Sequence, residues 1–323
     1  ACLHWEDFGT GHAHQLLDRY RDLLPSFNDD IQGTSGVASA AVLAACRGLG
    51  QPLAQQRIVI FGAGTAGCGI AEGLLRLLRA EGLSEEQARQ HIWALDRPGL
   101  LLQDMEHITP AAAALARNPA EVADWPRDEE GRLTLQTVVE QVQPTVLIGT
   151  STVAGAFNRS VVQTMARHCA RPVILPLSNP TSLAEATPTD LLAWTEGRAL
   201  VATGSPFAPV PVAGGLRTIG QCNNCFLFPG LGYAAVAVGL RCINDAMIDA
   251  GLRALAERIP ACRDPEAPLM PALVQAAEVA AAVAEAVALV GVEQGLARLA
   301  TTPEQARQRL AEAHWSPEYR PLL

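Results

Sequence analysis

The stretch IVIFGAGTAG, at residues 58–67, determines the fold that we expect for this chain. Its first four residues are apolar and mostly β-branched, which is typical of a buried strand in a parallel sheet. The glycines that follow form a complete G-x-G-x-x-G motif, and a helical pattern extends over residues 70–80. A strand, a glycine turn and a helix in this order predict a dinucleotide-binding unit.

Each glycine of the motif has a separate physical role. Gly62 allows the tight turn, Gly64 lets backbone N–H groups approach a pyrophosphate, and Gly67 lets the helix pack closely on the strand. The helix N-terminus adds unpaired N–H groups and a partial positive charge. We therefore predict that the cofactor contacts Gly62, Ala63, Gly64, Thr65, Ala66 and Gly67. The alternative is a structural glycine turn in an α/β domain without a nucleotide.

A second predicted strand, at residues 91–95, is followed by Asp96. Its carboxylate can accept hydrogen bonds from the adenosine ribose hydroxyls. Asp96 lies 29 residues after Gly67, beyond the usual spacing of about 20, and a turn at 82–86 accommodates the difference. Because Asp96 would repel a 2′-phosphate, we expect NAD rather than NADP, although the neighbouring Arg97 offers a charge that could pair with that phosphate.

Three more apolar stretches predict strands at 145–149, 173–177 and 199–203, with helical patterns at 160–168 and 189–195 between them. This alternation predicts an α/β fold, a Rossmann-type doubly wound parallel sheet with flanking helical segments. Ligands of such sheets bind beyond the carboxyl ends of the strands. The longest remaining helical patterns cover residues 232–257 and 269–299, and a short helix is expected from residue 303.

Composition restricts the class of protein. The 323 residues carry a net charge of −9 with a pI of about 5.3, which argues against nucleic acid as a partner. The eight cysteines are scattered, which favours reduced thiols and a cytoplasmic location. The most apolar stretch, residues 276–292, contains Glu278 and Glu285, which argues against a membrane span.

Two polar groups flank the predicted sheet. Glu6 and Asp7, with one or both of Asp29 and Asp30, form a set of hard oxygen ligands that suits Mg²⁺ or Mn²⁺; the alternative is ordinary solvated acids at loop and cap positions. An Asp and a Thr compete to cap the helix expected at 35–47.

Near the other end, a turn contains two adjacent amides between two cysteines, QCNNC at residues 221–225. Such amides either bind a small polar ligand or serve as turn residues, and no second cysteine pair supports a zinc site.

Several motifs together resemble the malic enzymes, in particular the bacterial NAD-dependent decarboxylating malate dehydrogenases. They are WEDF (5–8), FNDDIQGT (27–34), FGAGTAGCGIAE (61–72), PLSNPT (176–181), ATGSPF (202–207) and QCNN…FPG (221–230). The resemblance runs from residue 1 to HWSPEY at 314–319. It implies oxidative decarboxylation of malate to pyruvate and CO₂ with NAD and Mn²⁺ or Mg²⁺.

The resemblance also implies residue roles. Glu6, Asp7 and Asp30 match the metal ligands of the family. Gly62, Gly64, Gly67 and Asp96 match its dinucleotide site. Asn179 and one of Asn223 and Asn224 match amides that contact malate and the nicotinamide end. We assign Asn179 and Asn223 to the cofactor, and Asn179, Asn223 and Asn224 to malate.

The chain departs from the family in one respect. Malic enzymes have an N-terminal half with a tyrosine acid and a lysine base, but this chain contains no lysine, and its tyrosines lie outside the matching motifs. We therefore expect the C-terminal, NAD-binding part of the enzyme, inactive alone, from a parent that is a homo-oligomer. The expected layout is an NAD-binding domain at 30–222, a discontinuous substrate domain at 1–29 and 223–290, and a helical tail at 291–323. The alternatives are a non-catalytic dinucleotide-binding module and another Rossmann dehydrogenase, which would not need the acidic cluster.

Overall fold

A computed structural model describes residues 1–314 and residue 319. Its strands, in chain order, are β1 (Leu3–Trp5), β2 (Ser26–Asn28), β3 (Ile58–Phe61), β4 (Ile92–Asp96), β5 (Gly99–Leu100), β6 (Val146–Gly149), β7 (Val173–Pro176), β8 (Leu200–Thr203), β9 (Val210–Val212), β10 (Gly215–Arg217) and β11 (Gly220–Gln221). Its α-helices are α1 (Thr10–Tyr20), α2 (Thr34–Gly48), α3 (Thr65–Ala80), α4 (Glu85–Gln90), α5 (Pro110–Ala113), α6 (Leu135–Val142), α7 (Arg159–His168), α8 (Pro188–Trp194), α9 (Phe228–Ala237), α10 (Asp245–Ala256), α11 (Ala276–Glu293) and α12 (Pro303–Ala313).

The central sheet has seven strands in the described part of the chain, in the order β11-β8-β7-β6-β3-β4-β5. All neighbours are parallel except β4 and β5. The chain enters at β3, continues to β4 on one side and then crosses to β6 on the other side. This reversal creates a crevice at the carboxyl ends of β3 and β6, where ligands of such sheets bind. The predicted α/β fold with a doubly wound sheet is therefore confirmed.

Both faces of the sheet are covered, which explains why β3 is apolar at every position. Ile58 and Ile60 belong to a core that includes buried residues of α2, α3, α9, α10 and α11. Val59 points the other way, into a second core with buried residues of α6, α7 and α8. A strand that is buried on both faces cannot alternate between apolar and polar residues.

The N-terminal segment leads directly into the cofactor unit. β1 pairs in parallel with β2, and the side chain of Asn28 then accepts a hydrogen bond from the backbone N–H of Ile31 at 2.8 Å. A π-helix, Asp29–Gly33, follows and continues into α2. The expected capping of α2 by an Asp or Thr is therefore wrong, because an asparagine begins this helical segment one turn earlier.

The C-terminal helices are shorter than predicted. The helix expected at 232–257 is two helices, α9 and α10, separated by a turn in which Gly239 has a φ of +64°. The helix expected at 269–299 is restricted to α11 with a 3₁₀ turn before it. The stretch Leu273–Glu293 is long and apolar enough to cross a membrane by composition, with 28% of its most apolar window buried. Its buried face packs against α9 and α10.

The first and last parts of the chain are in contact. Arg21, just after α1, donates to Asp245 of α10 at 2.7 Å, and Asn224 donates to Asp29 at 2.8 Å. Core residues of α9 and α10 also pack with α2 and α3. The partition into 30–222 and a second unit of 1–29 with 223–290 stays a prediction. In the expected tail, α12 is described, whereas most of the HWSPEY motif lies outside the described residues.

Candidate functional site

The glycine turn has the geometry that the motif predicts at its first and last positions. Gly62 has a φ of +109°, and a Cβ there would lie 2.5 Å from the backbone of Thr150. A Cβ at Gly67 would lie 1.9 Å from the carbonyl oxygen of Gly62. At both positions, therefore, a side chain would overlap the backbone of the chain itself. Gly64 differs, because apart from the glycine and its chain neighbours no described atom lies within 4 Å of a Cβ built there.

A cleft of about 540 Å³ opens beside this turn. Gly62, Ala63 and Gly64 form one wall, and Thr65, Ala66 and Gly67 follow as the first residues of α3. Asp96 lines the cleft at the end of β4, and its carboxylate accepts the N–H of Arg97 at 2.9 Å. Of the predicted cofactor residues, the structure thus brings Gly62, Ala63, Gly64 and Asp96 together at this cleft, while Asn179 and Asn223 lie in a different pocket.

The cleft has further walls that the site prediction omitted. Thr150, Ser151 and Thr152 follow β6 and line it, and Thr150 donates its hydroxyl to the Gly62 carbonyl at 2.7 Å. Ile108 and Ala112 supply an apolar wall. The ends of the predicted strands could have indicated the first three residues, since these ends meet at one edge of the sheet. No periodic signal marks the apolar wall.

A second, polar pocket of about 240 Å³ lies at the carboxyl ends of β7 and β8. It brings together residues that are far apart in the chain: Glu6, Asp29, Asn179, Asn223 and Asn224. We call it the amide pocket. The Oδ1 atom of Asn179 accepts the hydroxyl of Ser205 at 2.5 Å, which leaves its NH₂ group as a donor. All three predicted amides therefore line one cavity.

The two other amides are held differently. Asn224 donates its Nδ2 to Asp29 at 2.8 Å and to the Thr34 hydroxyl at 3.0 Å. The side chain of Asn223 accepts the backbone N–H of Cys225 at 2.9 Å and so begins a short 3₁₀ turn. The prediction left open whether these residues are ligand-binding amides or turn residues. In the structure Asn223 serves the turn while both residues also line the pocket.

The acidic residues around the amide pocket are not equivalent. Asp29 is 4% exposed, and burial raises the pKa of its carboxyl group, while the hydrogen bond from Asn224 opposes this rise. Within the described residues its Oδ1 has no hydrogen-bond partner. The imidazole Nε2 of His4 lies 3.7 Å from this oxygen and 3.9 Å from a carboxylate oxygen of Glu6. An unpaired buried carboxylate oxygen is costly unless a cation or donor compensates it.

The predicted metal ligands are only partly brought together. Asp30 accepts the backbone N–H of Asp7 at 2.9 Å, and neither residue lines the amide pocket. No group of three or more His, Cys, Asp or Glu side chains within the described ranges could hold a metal ion. As they stand, Glu6, Asp7 and Asp30 therefore do not fit a three-carboxylate site, and Asp29 instead shares the pocket with Glu6.

Sequence comparison shows the family of the chain. A family profile described as the NAD binding domain of malic enzyme matches residues 31–292. An NAD-dependent malic enzyme from Shewanella baltica is 48% identical over 318 residues, which are 98% of this chain and 56% of that protein. NAD-dependent malic enzyme 3 from Bacillus subtilis is 47% identical over 100% of this chain and 56% of its own length. The chain thus spans about half the length of these relatives.

Solved structures give the same result. The crystal structure of malic enzyme from Pyrococcus horikoshii superposes with a TM-score of 0.72 at 25% identity, covering 96% of this chain and 65% of the other. NAD-dependent malic enzyme from Thermotoga maritima gives a TM-score of 0.65 at 25% identity, over 88% of this chain and 66% of the other. The sequence, the fold and the glycine-lined cleft agree, and the chain therefore belongs to the malic enzyme family, whose NAD-binding domain it contains.

Proposed function

We propose that this chain is the NAD-binding part of an enzyme that oxidises malate and decarboxylates it to pyruvate and CO₂. The observation that carries the proposal is its identity of 47–48%, over 98–100% of its length, to proteins named NAD-dependent malic enzymes. Because the chain covers 56% of those relatives, the activity is proposed for the longer protein. Bound NAD would accept the hydride that leaves C2 of malate.

The two cavities indicate that different strand ends bind different parts of the cofactor and substrate. The glycine turn and the N-terminus of α3 would bind the pyrophosphate, and Asp96 would accept hydrogen bonds from the adenosine ribose. In the amide pocket, the NH₂ group of Asn179 has no acceptor among the described residues, which suits it to bind a malate carboxylate or the nicotinamide carboxamide. The cofactor cleft contains residues that follow β6, and the amide pocket contains residues that follow β7. Because β6 and β7 are neighbours in the sheet, the two cavities lie at adjacent strand ends.

Binding of a divalent cation stays a prediction that rests on the family resemblance. Glu6 and Asp29 in the amide pocket supply oxygen donors of the type that Mn²⁺ and Mg²⁺ prefer, and the Oδ1 atom of Asp29 has no hydrogen-bond partner in the described part of the chain. Calorimetric titration with Mn²⁺ tests this directly. Binding that is weakened at least tenfold by Asp30→Ala and by Glu6→Gln would support the predicted ligands, whereas unchanged binding in both variants would contradict them.

The cofactor assignment is tested by titrating the chain with NAD and NADP in parallel. We expect tighter binding of NAD, because Asp96 lies at the end of β4 where a 2′-phosphate would be repelled. Tighter binding of NADP, or of neither nucleotide, would contradict the proposal. The net charge of −9 also disfavours NADP relative to NAD, because NADP carries an additional phosphate.

We also propose that the chain alone does not turn over malate. The C2 hydroxyl must lose a proton, and general base catalysis contributes about 10²–10⁴-fold in rate. The chain contains no lysine, and arginine stays protonated at neutral pH. The imidazole of His4 lies beside the carboxylates of Glu6 and Asp29. With NAD, Mn²⁺ and malate present, we expect no NADH above a protein-free control. A rate that is lost in His4→Gln would overturn this and would make His4 the base.

The lack of a lysine equally fits a non-catalytic dinucleotide-binding module, which is the second candidate. The two are distinguished in the longer protein, where only the first predicts malate-dependent NADH formation. We further propose a cytoplasmic location and assembly into a homo-oligomer, with neither nucleic acid nor membrane as a partner. The free state of all eight cysteines supports a reducing compartment.

A further inference from the structure

Glu185 is a carboxylate buried completely between the loops that follow β6 and β7, with 0% exposure. Its Oε1 accepts three hydrogen bonds, from the Ser151 N–H at 2.8 Å, the Ser151 hydroxyl at 2.8 Å and the Ser178 hydroxyl at 2.5 Å. Its Oε2 accepts the Ser178 N–H at 3.4 Å. A carboxylate this deeply buried is tolerated only when such donors replace water.

The carboxylate also orients the two serine hydroxyls. Each hydroxyl has one hydrogen, which it gives to Glu185, so that it can only accept from other groups. The Ser178 hydroxyl accepts the backbone N–H of Thr152 at 2.8 Å, and the Ser151 hydroxyl accepts that of Val153 at 3.1 Å. Glu185 therefore fixes the backbone of 151–153, where Thr152 has a φ of +58°.

These segments face two different cavities. Ser151 and Thr152 line the cofactor cleft, whereas Asn179, directly after Ser178, lines the amide pocket. The sheet makes room for the anchor at Gly149, where a Cβ would lie 2.5 Å from the carboxyl carbon of Glu185. One buried side chain thus connects the walls of both cavities.

We propose that Glu185 is a positioning residue that holds the cofactor cleft and the amide pocket in their mutual arrangement. The inference rests on the proposed function of these cavities, and it adds a residue that contacts neither ligand. Loss of the carboxylate would release the loop 151–153 and the loop of Asn179 together. The dinucleotide then has to order the first of these loops when it binds, which lowers its affinity.

The test is Glu185→Gln, measured by calorimetric titration with NAD at a temperature where circular dichroism shows a folded protein. The glutamine oxygen can keep the Oε1 position, where it accepts the two serine hydroxyls and the Ser151 N–H without the charge of a carboxylate, while its NH₂ group replaces Oε2 against the Ser178 N–H. We expect the Kd for NAD to rise about tenfold. Removing a negative charge near the phosphates would by itself tighten binding, so weaker binding reports lost positioning rather than charge.

Thr195→Val is the matched control. Thr195 is also 0% exposed, and its hydroxyl donates to the Leu191 carbonyl at 2.7 Å and accepts the Ala199 N–H at 3.2 Å, between α8 and β8. Because Thr195 lines neither cavity, we expect a lower melting temperature with an NAD Kd within about twofold of the original value.

Ser178→Ala keeps the proposal testable if Glu185→Gln does not fold. It removes the acceptor of the Thr152 N–H together with one of the three hydrogen bonds to Glu185 Oε1, and we expect the Kd for NAD to rise at least threefold. A folded Glu185→Gln or Ser178→Ala protein that binds NAD as tightly as the original chain would overturn the positioning role alone. An original chain that binds no NAD would overturn the assignment of the cofactor cleft and, with it, this role.

Discussion

Replacing Gly64 by alanine separates the cofactor role of the glycine motif from its role in folding. Gly64 has φ −77° and ψ −162°, which alanine adopts without strain. A Cβ at this position has no described atom within 4 Å and extends into open space beside α3. As the N-cap of α3, glycine is better than alanine by less than about 1 kcal/mol. We therefore expect Gly64→Ala to remain folded, with a small loss in free energy of unfolding.

The effect on NAD is expected to be much larger. If the pyrophosphate lies over this backbone, the added methyl group meets it at less than contact distance, and an overlap of this kind costs about 1–3 kcal/mol. The Kd for NAD should therefore rise about 5- to 150-fold in a calorimetric titration. The control is Gly232→Ala in α9, where a Cβ also meets no described atom within 4 Å and binding should be unchanged.

Gly67→Ala should affect folding as well as binding, because its Cβ would lie 1.9 Å from the Gly62 carbonyl oxygen. It should lower the free energy of unfolding by about 1–3 kcal/mol in urea titrations, in addition to weakening NAD binding. A folded Gly64→Ala protein with the original affinity for NAD would refute the reasoning, because the open space at Gly64 would then not be the pyrophosphate site.

Three further predictions concern the cofactor, an ion pair and the thiols. Asp96→Ser should weaken NAD binding about tenfold and raise NADP affinity relative to NAD, as measured by parallel titrations. Arg76→Met removes the partner of Asp249, whose pKa is raised above 3.8 by burial despite Arg76 at 3.1 Å. A raised folded-state pKa means that stability is lost as the pH rises. The loss of about 1–3 kcal/mol in unfolding free energy in Arg76→Met should therefore grow above pH 4. In the exposed Arg79→Met control, the loss in unfolding free energy should stay below about 0.5 kcal/mol. Finally, iodoacetamide at pH 8 should label Cys68 only in urea, because burial raises the pKa of its thiol to about 12; labelling of Cys68 itself in the folded protein would contradict this.

The sequence alone determined the parts of the fold that depend on local chemistry. The run 58–61 reads as a buried strand because all its residues are apolar, and the glycine motif identifies the turn because only glycine tolerates the φ of +109° at Gly62. Asp96 was placed correctly at the end of the next strand. Each of these features is encoded within a few consecutive residues, so composition and spacing are sufficient to predict it.

Only the tertiary structure decided which polar groups meet. The hydrogen bond from Asn224 to Asp29 joins residues 195 positions apart, and Glu185 reaches Ser151 across 34. Neighbouring acids received different surroundings, because the π-helix turns Asp29 into the amide pocket while Asp30 binds the Asp7 N–H. Such contacts follow from how the chain ends pack around the sheet, and a carboxylate carries the same local signal whether it is solvated or buried. For this reason the sequence could name the candidate acids and amides, but only the packing of the chain could select among them.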